Sequence, residues 1–394
     1  MTLELTALKT RRKRIRMDTI LPMPITTRQE QFLQMFPDAP RYRFQQVERA
    51  LFDPAVAGWE GVTVLPKGMR ETLAQKISWI SHAVVQTQQN QTNDTYKTAL
   101  QAPDGLRYET VLMRNTKENW TICVSSQIGC AMGCTFCATG TMGLKRSLTA
   151  DEITDQYRGF QKFLHDHPDL PQRISNLVIM GMGEPFANYD NVKAAITTLL
   201  LNTDLGPTHL TVSTVGLLPM LEILLTDPAW PPVRIAISLH SANAALRKKI
   251  VPSTVENFLP QLADWSRRYD KKLGNRRRYL TFEYVLLSEI NDAKEHAEEL
   301  ADYLKTTAVK KINVIPYNPI AGKPFSRSQR ERIDQFKSVL RARDCDVTER
   351  HTMGDDIAAA CGQLVNRERR IHGINDQLSN SSDSMNLTTD DHQF

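Results

Sequence analysis

Trp120–Gly140 reads WTICVSSQIGCAMGCTFCATG, an apolar strand pattern that runs straight into three closely spaced cysteines. Cys130, Cys134 and Cys137 follow the spacing C-x3-C-x2-C, which sets three thiolates on one tight loop. Three thiolates can hold an iron-sulfur cubane by three of its four irons and leave the fourth open to a ligand. The competing readings are a structural zinc knuckle or thiols that are merely buried. Structural zinc takes four closed ligands, usually from two separated pairs. This chain offers a triplet without a second pair, and the nearest downstream histidines, His165 and His167, lie in an ordinary polar stretch.

Outward from that loop, short β-branched runs alternate with amphipathic helical segments. The strand candidates are Trp120–Ser125, Asn176–Met180, His209–Ser213, Val233–Leu239, Leu280–Leu286 and Lys311–Ile315. Helical patterns at Thr149–Leu164, Asn191–Leu201 and Asp292–Lys305 fall between them. Six βα units in series predict an α/β fold, a partial (β/α)6 TIM-like barrel over 120–350, with a doubly wound sheet as the alternative. The unusual residues favour the barrel, because its working groups gather at the C-terminal ends of strands. Ser125-Ser126-Gln127 and the cysteine loop follow the first strand, and Gly181-Met182-Gly183-Glu184-Pro185 the second. Ser213-Thr214, Ser238-Leu239-His240 and Pro316-Tyr317-Asn318-Pro319 follow the third, fourth and sixth.

Upstream, Thr26–Ala83 reads as short helices broken by Pro and Gly, so a helical accessory domain is expected over 26–97. Connecting strands are expected over 98–119, with Pro103-Asp104-Gly105 as a turn. Residues 1–25 form a basic arm, six of the eight residues Lys9–Arg16 being Lys or Arg, and 373–394 a polar tail expected to be disordered. The net charge is +5, and the tail from Asn375 carries four Asp and no Lys or Arg, so the rest is more basic. That excess suits a polyanionic partner without requiring one. Six cysteines with neither a signal peptide nor a bilayer-length apolar run predict a cytoplasmic protein with no membrane association.

Five motifs occur in order: GCAMGCTFCATG (Gly129–Gly140), MGMGEP (Met180–Pro185), ISLH (Ile237–His240), NVIPYNP (Asn313–Pro319) and GDDIAAACGQL (Gly354–Leu364). Together they resemble the radical S-adenosylmethionine RNA methyltransferases that modify adenine C2 in 23S ribosomal RNA and transfer RNA, over about Tyr108–Leu364. The resemblance implies a [4Fe-4S] cluster on Cys130, Cys134 and Cys137 whose open iron chelates S-adenosylmethionine. It implies that Gly183 and Glu184 hold the methionine amino group, and that Ser213, Ser238, Leu239, His240 and Asn318 line the rest of that ligand. It further implies that Cys361, in a C-terminal segment over 351–372, carries a methyl group that becomes bonded to the base. Cys123 would then form a disulfide with Cys361 and release the product, with Glu109 as proton acceptor. Without the resemblance, Cys123 and Cys361 would pass as small buried hydrophobes and Glu109 as a surface strand residue. The expected partners are RNA and a one-electron donor such as flavodoxin or ferredoxin, acting on a monomer.

The basic clusters Arg247-Lys248-Lys249, Arg276-Arg277-Arg278 and Arg367–Arg370 are candidate phosphate contacts, or solvated faces. Two stretches depart from the family pattern. Asn93-Asp94-Thr95-Tyr96-Lys97 replaces a Ser-x-Asp-Gly-Thr-x-Lys stretch, and Ser253-Thr254 follows Ile250-Val251-Pro252 where an Asn-containing stretch is common. They bear on the RNA target. A C8-directed relative shares the cluster, both distant cysteines and the barrel. A radical enzyme acting on a non-RNA substrate would keep the triplet and have no need of Cys361.

Overall fold

The computed structural model describes residues 27–275, 278–309, 311–350 and 352–365. The basic arm of 1–25, the tail of 373–394, Arg276, Arg277 and the Arg367–Arg370 cluster lie outside the described residues. Among those described, no helix is long and apolar enough to cross a membrane.

Three helices come first, α1 (Arg28–Met35), α2 (Arg41–Leu51) and α3 (Lys67–Lys76). Thr27 and Glu30 start α1 with a reciprocal capping box, and the three helices bury Phe32, Phe44, Trp59 and Leu73. The helical run ends at Lys76, well before residue 97. Ala83–Gln89 (β1) and Thr95–Gln101 (β2) are antiparallel strands that continue the main sheet. The β-branched Val84, Val85 and Thr87 suit that conformation. The turn at Pro103-Asp104-Gly105 forms as expected, Asp104 Oδ1 accepting from the Leu106 N–H, and leads into β3 (Arg107–Arg114) and β4 (Trp120–Val124).

The remaining strands of the main sheet are β7 (Ile174–Ile179), β8 (Leu210–Thr214), β9 (Arg234–Ser238), β10 (Leu280–Leu286), β11 (Lys311–Pro316) and β12 (Asp346–Glu349). A separate hairpin, β5 (Gln127–Cys130) with β6 (Gly143–Ser147), brackets the cysteine loop. Helices α4 (Ala150–His165), α5 (Tyr189–Asn202), α6 (Leu218–Thr226), α7 (Ala244–Ile250), α8 (Phe258–Leu273), α9 (Lys294–Lys305) and α10 (Arg330–Arg341) occupy the crossovers.

The sheet order is β1-β2-β3-β4-β7-β8-β9-β10-β11-β12, and every pair from β4 onward is parallel. A doubly wound sheet reverses its strand order at a switch point, whereas here neighbours follow chain order throughout, as in a barrel that has not closed. The strand β12 adds a seventh parallel member beyond the six expected. All seven side chains of β10 are buried, the pattern of a parallel strand covered on both faces.

Buried charge docks the accessory helices on the barrel. Arg28, at the start of α1, pairs with Asp151 at 3.1 Å and with Asp155 on α4. Arg158 also pairs with Asp155 and donates to the Leu51 and Trp79 carbonyls at 2.6 and 3.0 Å. Burial disfavours the Asp155 charge, but the two guanidiniums outweigh it and hold the carboxyl well below its usual range.

Candidate active site

The β5–β6 hairpin sets the shape of the cysteine loop. Gly129 has φ +78°, and a Cβ there would stand 1.9 Å from the Gly143 carbonyl oxygen, so only glycine lets the hairpin close. Cys130 ends β5, and the loop beyond it is tied down on two sides. The Thr135 N–H donates to the Ile250 carbonyl at the end of α7 (3.0 Å), and the Ala138 N–H to the Gly362 carbonyl (2.8 Å). The Thr139 hydroxyl donates to the Leu364 carbonyl at 2.7 Å.

Cys130, Cys134 and Cys137 line one open cavity of about 990 Å³ at the C-terminal ends of β7 to β12. Gly183, Glu184, Ser213, Ser238, His240, Asn318 and Cys361 line it as well. Burial pushes the Cys130 thiol up to about 12, helped by Glu184 and Cys137, and pushes Cys134 higher still.

Each strand end is shaped for this cavity. Gly183 has φ +104°, and a Cβ would stand 2.6 Å from Gln127 Cβ, so the loop after β7 packs directly on β5. Glu184 staples two strand ends together, its carboxylate accepting from the Phe186 N–H (3.0 Å) and the Val215 N–H (2.8 Å). Burial raises its pKa, and the bonds from Thr214, Val215 and Phe186 resist that rise. Ser213 and Ser238 Oγ lie 3.3 Å apart across β8 and β9. His240 takes φ +60°, and its Nδ1 accepts from the Val285 N–H at 3.1 Å, which leaves the proton on Nε2. Burial, then Arg247, lowers its pKa to about 3, so the ring is a neutral donor. Asn318 accepts from the Thr352 hydroxyl (2.9 Å) and donates to the Cys361 carbonyl (3.4 Å).

A second cavity, about 860 Å³, adjoins the first and shares Cys137, Met180, Gly181, Ile315, Asn318, Arg350, Cys361 and Gly362 with it. Cys123, one residue from the C-terminal end of β4, lines this second space together with the Cys361 segment. Cys123 and Cys361 are both free thiols here. Burial, then Cys361, pushes Cys123 up to about 12, and burial also raises Cys361, which is exposed to the cavities but enclosed by protein around them. Both thiols feel Arg350, which favours their charged forms.

Arg350 was not foreseen from the sequence, nor was Glu283, its partner. The guanidinium donates to Glu283 Oε1 at 3.1 Å, and its Nε lies 3.0 Å from Oε2 without hydrogen-bond alignment. Burial opposes the Arg350 charge, yet Glu283 and the two thiols raise its pKa. Asn313 Nδ2 holds Glu283 Oε1 at 2.7 Å. The available signal was a lone acid inside the apolar run LTFEYVL, since a charge in a fully buried strand requires a partner.

Two expected site residues line neither cavity. Leu239 is fully buried, with its N–H donating to the Glu283 carbonyl at 3.0 Å. Glu109 sits on β3, pairs with Lys97 at 3.6 Å, and accepts from the Val365 N–H at 2.9 Å. Lys97 also donates to the Ala358 carbonyl at 3.3 Å, so the pair grips the Cys361 segment on both sides of the cysteine. The loop leading into β2 serves the same segment, the Gln91 N–H donating to Asp356 Oδ2 at 2.9 Å. The departure around Asn93 therefore lies where the thiol-bearing segment is seated. Of the Arg247-Lys248-Lys249 cluster, Arg247 is buried and Lys248 donates to the Pro252 and Thr254 carbonyls at 2.8 and 2.6 Å, so these two groups are committed within the protein.

Comparison with known proteins agrees with this arrangement. The radical SAM superfamily profile matches residues 124–304. A Picosynechococcus protein named "Probable dual-specificity RNA methyltransferase RlmN" is 40% identical over 331 residues, covering 84% of this chain and 91% of that protein. A protein of the same name from Dictyoglomus thermophilum is 40% identical over 82% of this chain and 90% of its own length. The chain belongs to the RlmN family of radical SAM methyltransferases. A crystal structure of a radical SAM methyltransferase from Sphaerobacter thermophilus superposes with a TM-score of 0.77 at 38% identity, covering 85% of this chain and 96% of that one.

Radical SAM membership implies a [4Fe-4S] cluster and S-adenosylmethionine, and the residues present fit both. Three soft thiols open on one cavity, and burial favours the neutral form of Cys130 and Cys134 until a metal's charge draws them to the thiolate form. Among the described residues, no three His, Cys, Asp or Glu side chains close on a single ion.

Proposed function

We propose that this chain methylates an adenine ring carbon, C2, in 23S ribosomal RNA and in transfer RNA, through a methyl group carried on Cys361. The observation that carries the reading is Cys361 on the wall shared by two cavities, with the cysteine triplet on one and Cys123 on the other.

A ring carbon between two nitrogens is a poor nucleophile and does not take a methyl cation directly, whereas a cysteine sulfur does. When bound, the cluster with S-adenosylmethionine supplies a methyl group for that sulfur and a 5′-deoxyadenosyl radical. Cys130, Cys134 and Cys137 hold the cluster, while Gly183 and Glu184 hold the methionine end. Ser213, Ser238, the Leu239 backbone, His240 and Asn318 orient the remainder, with His240 Nε2–H as a donor that stays uncharged at neutral pH. Once the S-methyl group on Cys361 has lost a hydrogen atom, its carbon bonds to C2 of a base flipped out of its stack; the adduct would give up its odd electron to the iron-sulfur centre as one-electron acceptor, and a closed-shell thioether then joins protein to RNA.

Cys123, as thiolate, then attacks the Cys361 sulfur. The S–S bond forms as the S–C bond breaks, and the released carbon takes a proton to become the methyl group. Arg350 stabilises the attacking thiolate. Glu109 is the candidate acceptor of the C2 proton; it lines neither cavity here, so that role requires it to leave Lys97 and the Val365 N–H and reach the base. A low-potential one-electron donor of the flavodoxin or ferredoxin class completes the set of partners.

The test is mass spectrometry of adenosines in ribosomal and transfer RNA from cells with and without the gene. Loss of 2-methyladenosine on deletion is the expected result. Loss of 8-methyladenosine instead, or no change in either, overturns the C2 assignment.

A further inference from the structure

Arg247 is among the largest fully buried side chains of the protein, 1% exposed, and among the described residues no carboxylate pairs with it. Its Nε donates to the Leu239 carbonyl at 3.0 Å, and Nη2 to the Val215 and Ser238 carbonyls at 2.7 and 3.2 Å. Nη1 donates to Thr254 Oγ1 at 2.6 Å, and that hydroxyl in turn donates to the Val251 carbonyl. The guanidinium carbon lies 3.7 Å from the centre of the Phe258 ring. Carbonyl dipoles and a ring face solvate the cation without cancelling its charge. A buried arginine normally has an acid beside it, and the departure is itself information.

The charge stands at a junction. Val215 and Ser238 line the cavity that the cysteine triplet opens on. The same short helix, α7, ends at Ile250, whose carbonyl accepts from both the backbone and the hydroxyl of Thr135 in the cysteine loop, at 3.0 and 3.3 Å. Ile250 and Val251 also pack with Cys134 and Phe136 in a small apolar cluster beneath that loop. The electrostatic neighbours of Arg247 include Cys134, and its field contributes to keeping His240 neutral. Helix α7 thus carries one buried cation, Arg247, with no ion pair among the described residues, between the thiol loop and the ends of β8 and β9.

We propose that Arg247 is a positioning residue that also tunes the cluster: its buried charge stabilises the one-electron-reduced form of the cluster held by Cys130, Cys134 and Cys137. The inference rests on the cluster assignment above. A [4Fe-4S] core with three thiolates gains one negative charge when a one-electron donor, dithionite in vitro, reduces it. A fixed cation in a low-dielectric interior favours the more negative state. The Arg247 charge does not titrate near neutral pH, so the bias is constant.

The experiment is an anaerobic redox titration of the reconstituted full-length protein, with the reduced cluster read by electron paramagnetic resonance. Arg247→Met removes the charge and Arg247→Lys retains it. Thr254→Asp leaves Arg247 in place and sets a carboxylate against it, with Thr254→Asn as the uncharged control. The expected result is a midpoint lowered in Arg247→Met and in Thr254→Asp, so that the reduced-to-oxidised ratio at a fixed potential falls about tenfold, equal to about 59 mV. Arg247→Lys and Thr254→Asn should stay near the wild type. Equal midpoints for Thr254→Asp and Thr254→Asn, both with full iron content, overturn the proposal even if Arg247→Met does not fold. An Arg247→Lys shift as large as that of Arg247→Met also overturns it, because packing and not charge would then be responsible. Wild-type protein that takes up no [4Fe-4S] cluster defeats the cluster assignment instead, a result distinct from an intact cluster with an unmoved potential.

Discussion

The release step should depend steeply on pH, because the attacking group is a buried thiol. Burial pushes Cys123 up to about 12, and alkylation of Cys361 removes only the smaller contribution to that rise. At pH 8 a thiol of that pKa is ionised in about one molecule in ten thousand, and the fraction grows about tenfold per pH unit. The covalent RNA–protein adduct should therefore decay about a hundredfold faster at pH 8.5 than at pH 6.5, with no plateau in that window. Arg350 is the counterweight, since it favours the charged form of Cys123. Removing a nearby opposite charge commonly moves a pKa by about one unit or more, so Arg350→Met should slow decay about tenfold at every pH and leave the slope unchanged. The assay is a single turnover on an RNA fragment, quenched in denaturant at intervals and resolved on a gel that separates free protein from adduct. Cys123→Ala should hold the adduct indefinitely. A decay rate that stays flat across this range, or adduct release by Cys123→Ala at the wild-type rate, refutes thiolate attack by Cys123.

Other consequences can be checked separately. Anaerobically prepared protein should carry about four irons per chain, and Cys134→Ala should lose them, as iron and sulfide analysis will show. Peptide mass spectrometry of active enzyme should find Cys361 heavier by one methylene unit. Gly183→Ala sets a Cβ 2.6 Å from Gln127 at a φ that L residues rarely adopt, and about 1–3 kcal/mol of strain should weaken S-adenosylmethionine binding about tenfold or more in an equilibrium binding assay, with iron content retained. Asp155→Ala strands Arg28 and Arg158 in the interior and should cost about 3–5 kcal/mol, read as a lowered urea midpoint at pH 7. Because the folded-state pKa of Asp155 is depressed, its contribution is full above the ordinary carboxylate value near 3.9 and is lost as pH falls below it. The gap between wild type and variant should accordingly narrow in acid.

Legibility in the sequence followed burial on both faces. The runs read as strands from Trp120 to Ile315 differ from the observed bounds by a residue or two, because parallel strands under helices are short and continuously apolar. β1 is exposed along nearly its whole length, so AVVQTQQ carries no apolar alternation and passed for part of the helical module. The β5–β6 hairpin is only four and five residues long, with a glycine and a cysteine at its heart, and propensity has nothing to register there. The cysteine triplet needed only spacing to be found. The Glu283–Arg350 pair joins residues 67 positions apart, and only the fold brings them together. Arg247 was hidden in a different way, since in RKK it looks like its two lysine neighbours and only packing sets it apart.

The segment bearing Cys361 is where these findings meet. Lys97 and Glu109 grip it at Ala358 and Val365, and Asn318 holds the Cys361 carbonyl itself. The Ala138 N–H, one residue past Cys137, donates to the carbonyl of Gly362, one residue past Cys361. A single backbone hydrogen bond thus couples the loop assigned to the radical source to the segment assigned to carry the methyl group. The reaction proposed here asks Cys361 to meet three groups in turn: the methyl donor, the base and Cys123. A thiol on a long free arm would meet each of them rarely, whereas one fixed against the cysteine loop at the seam of two cavities would face all three over short paths, the proximity that makes such transfers fast. Gly354, Ala358 and Gly362 all have positive φ, so the segment follows a course set by its anchors and not by regular secondary structure. Its position consequently depends on Lys97, Glu109 and Asn318 more than on any propensity of its own.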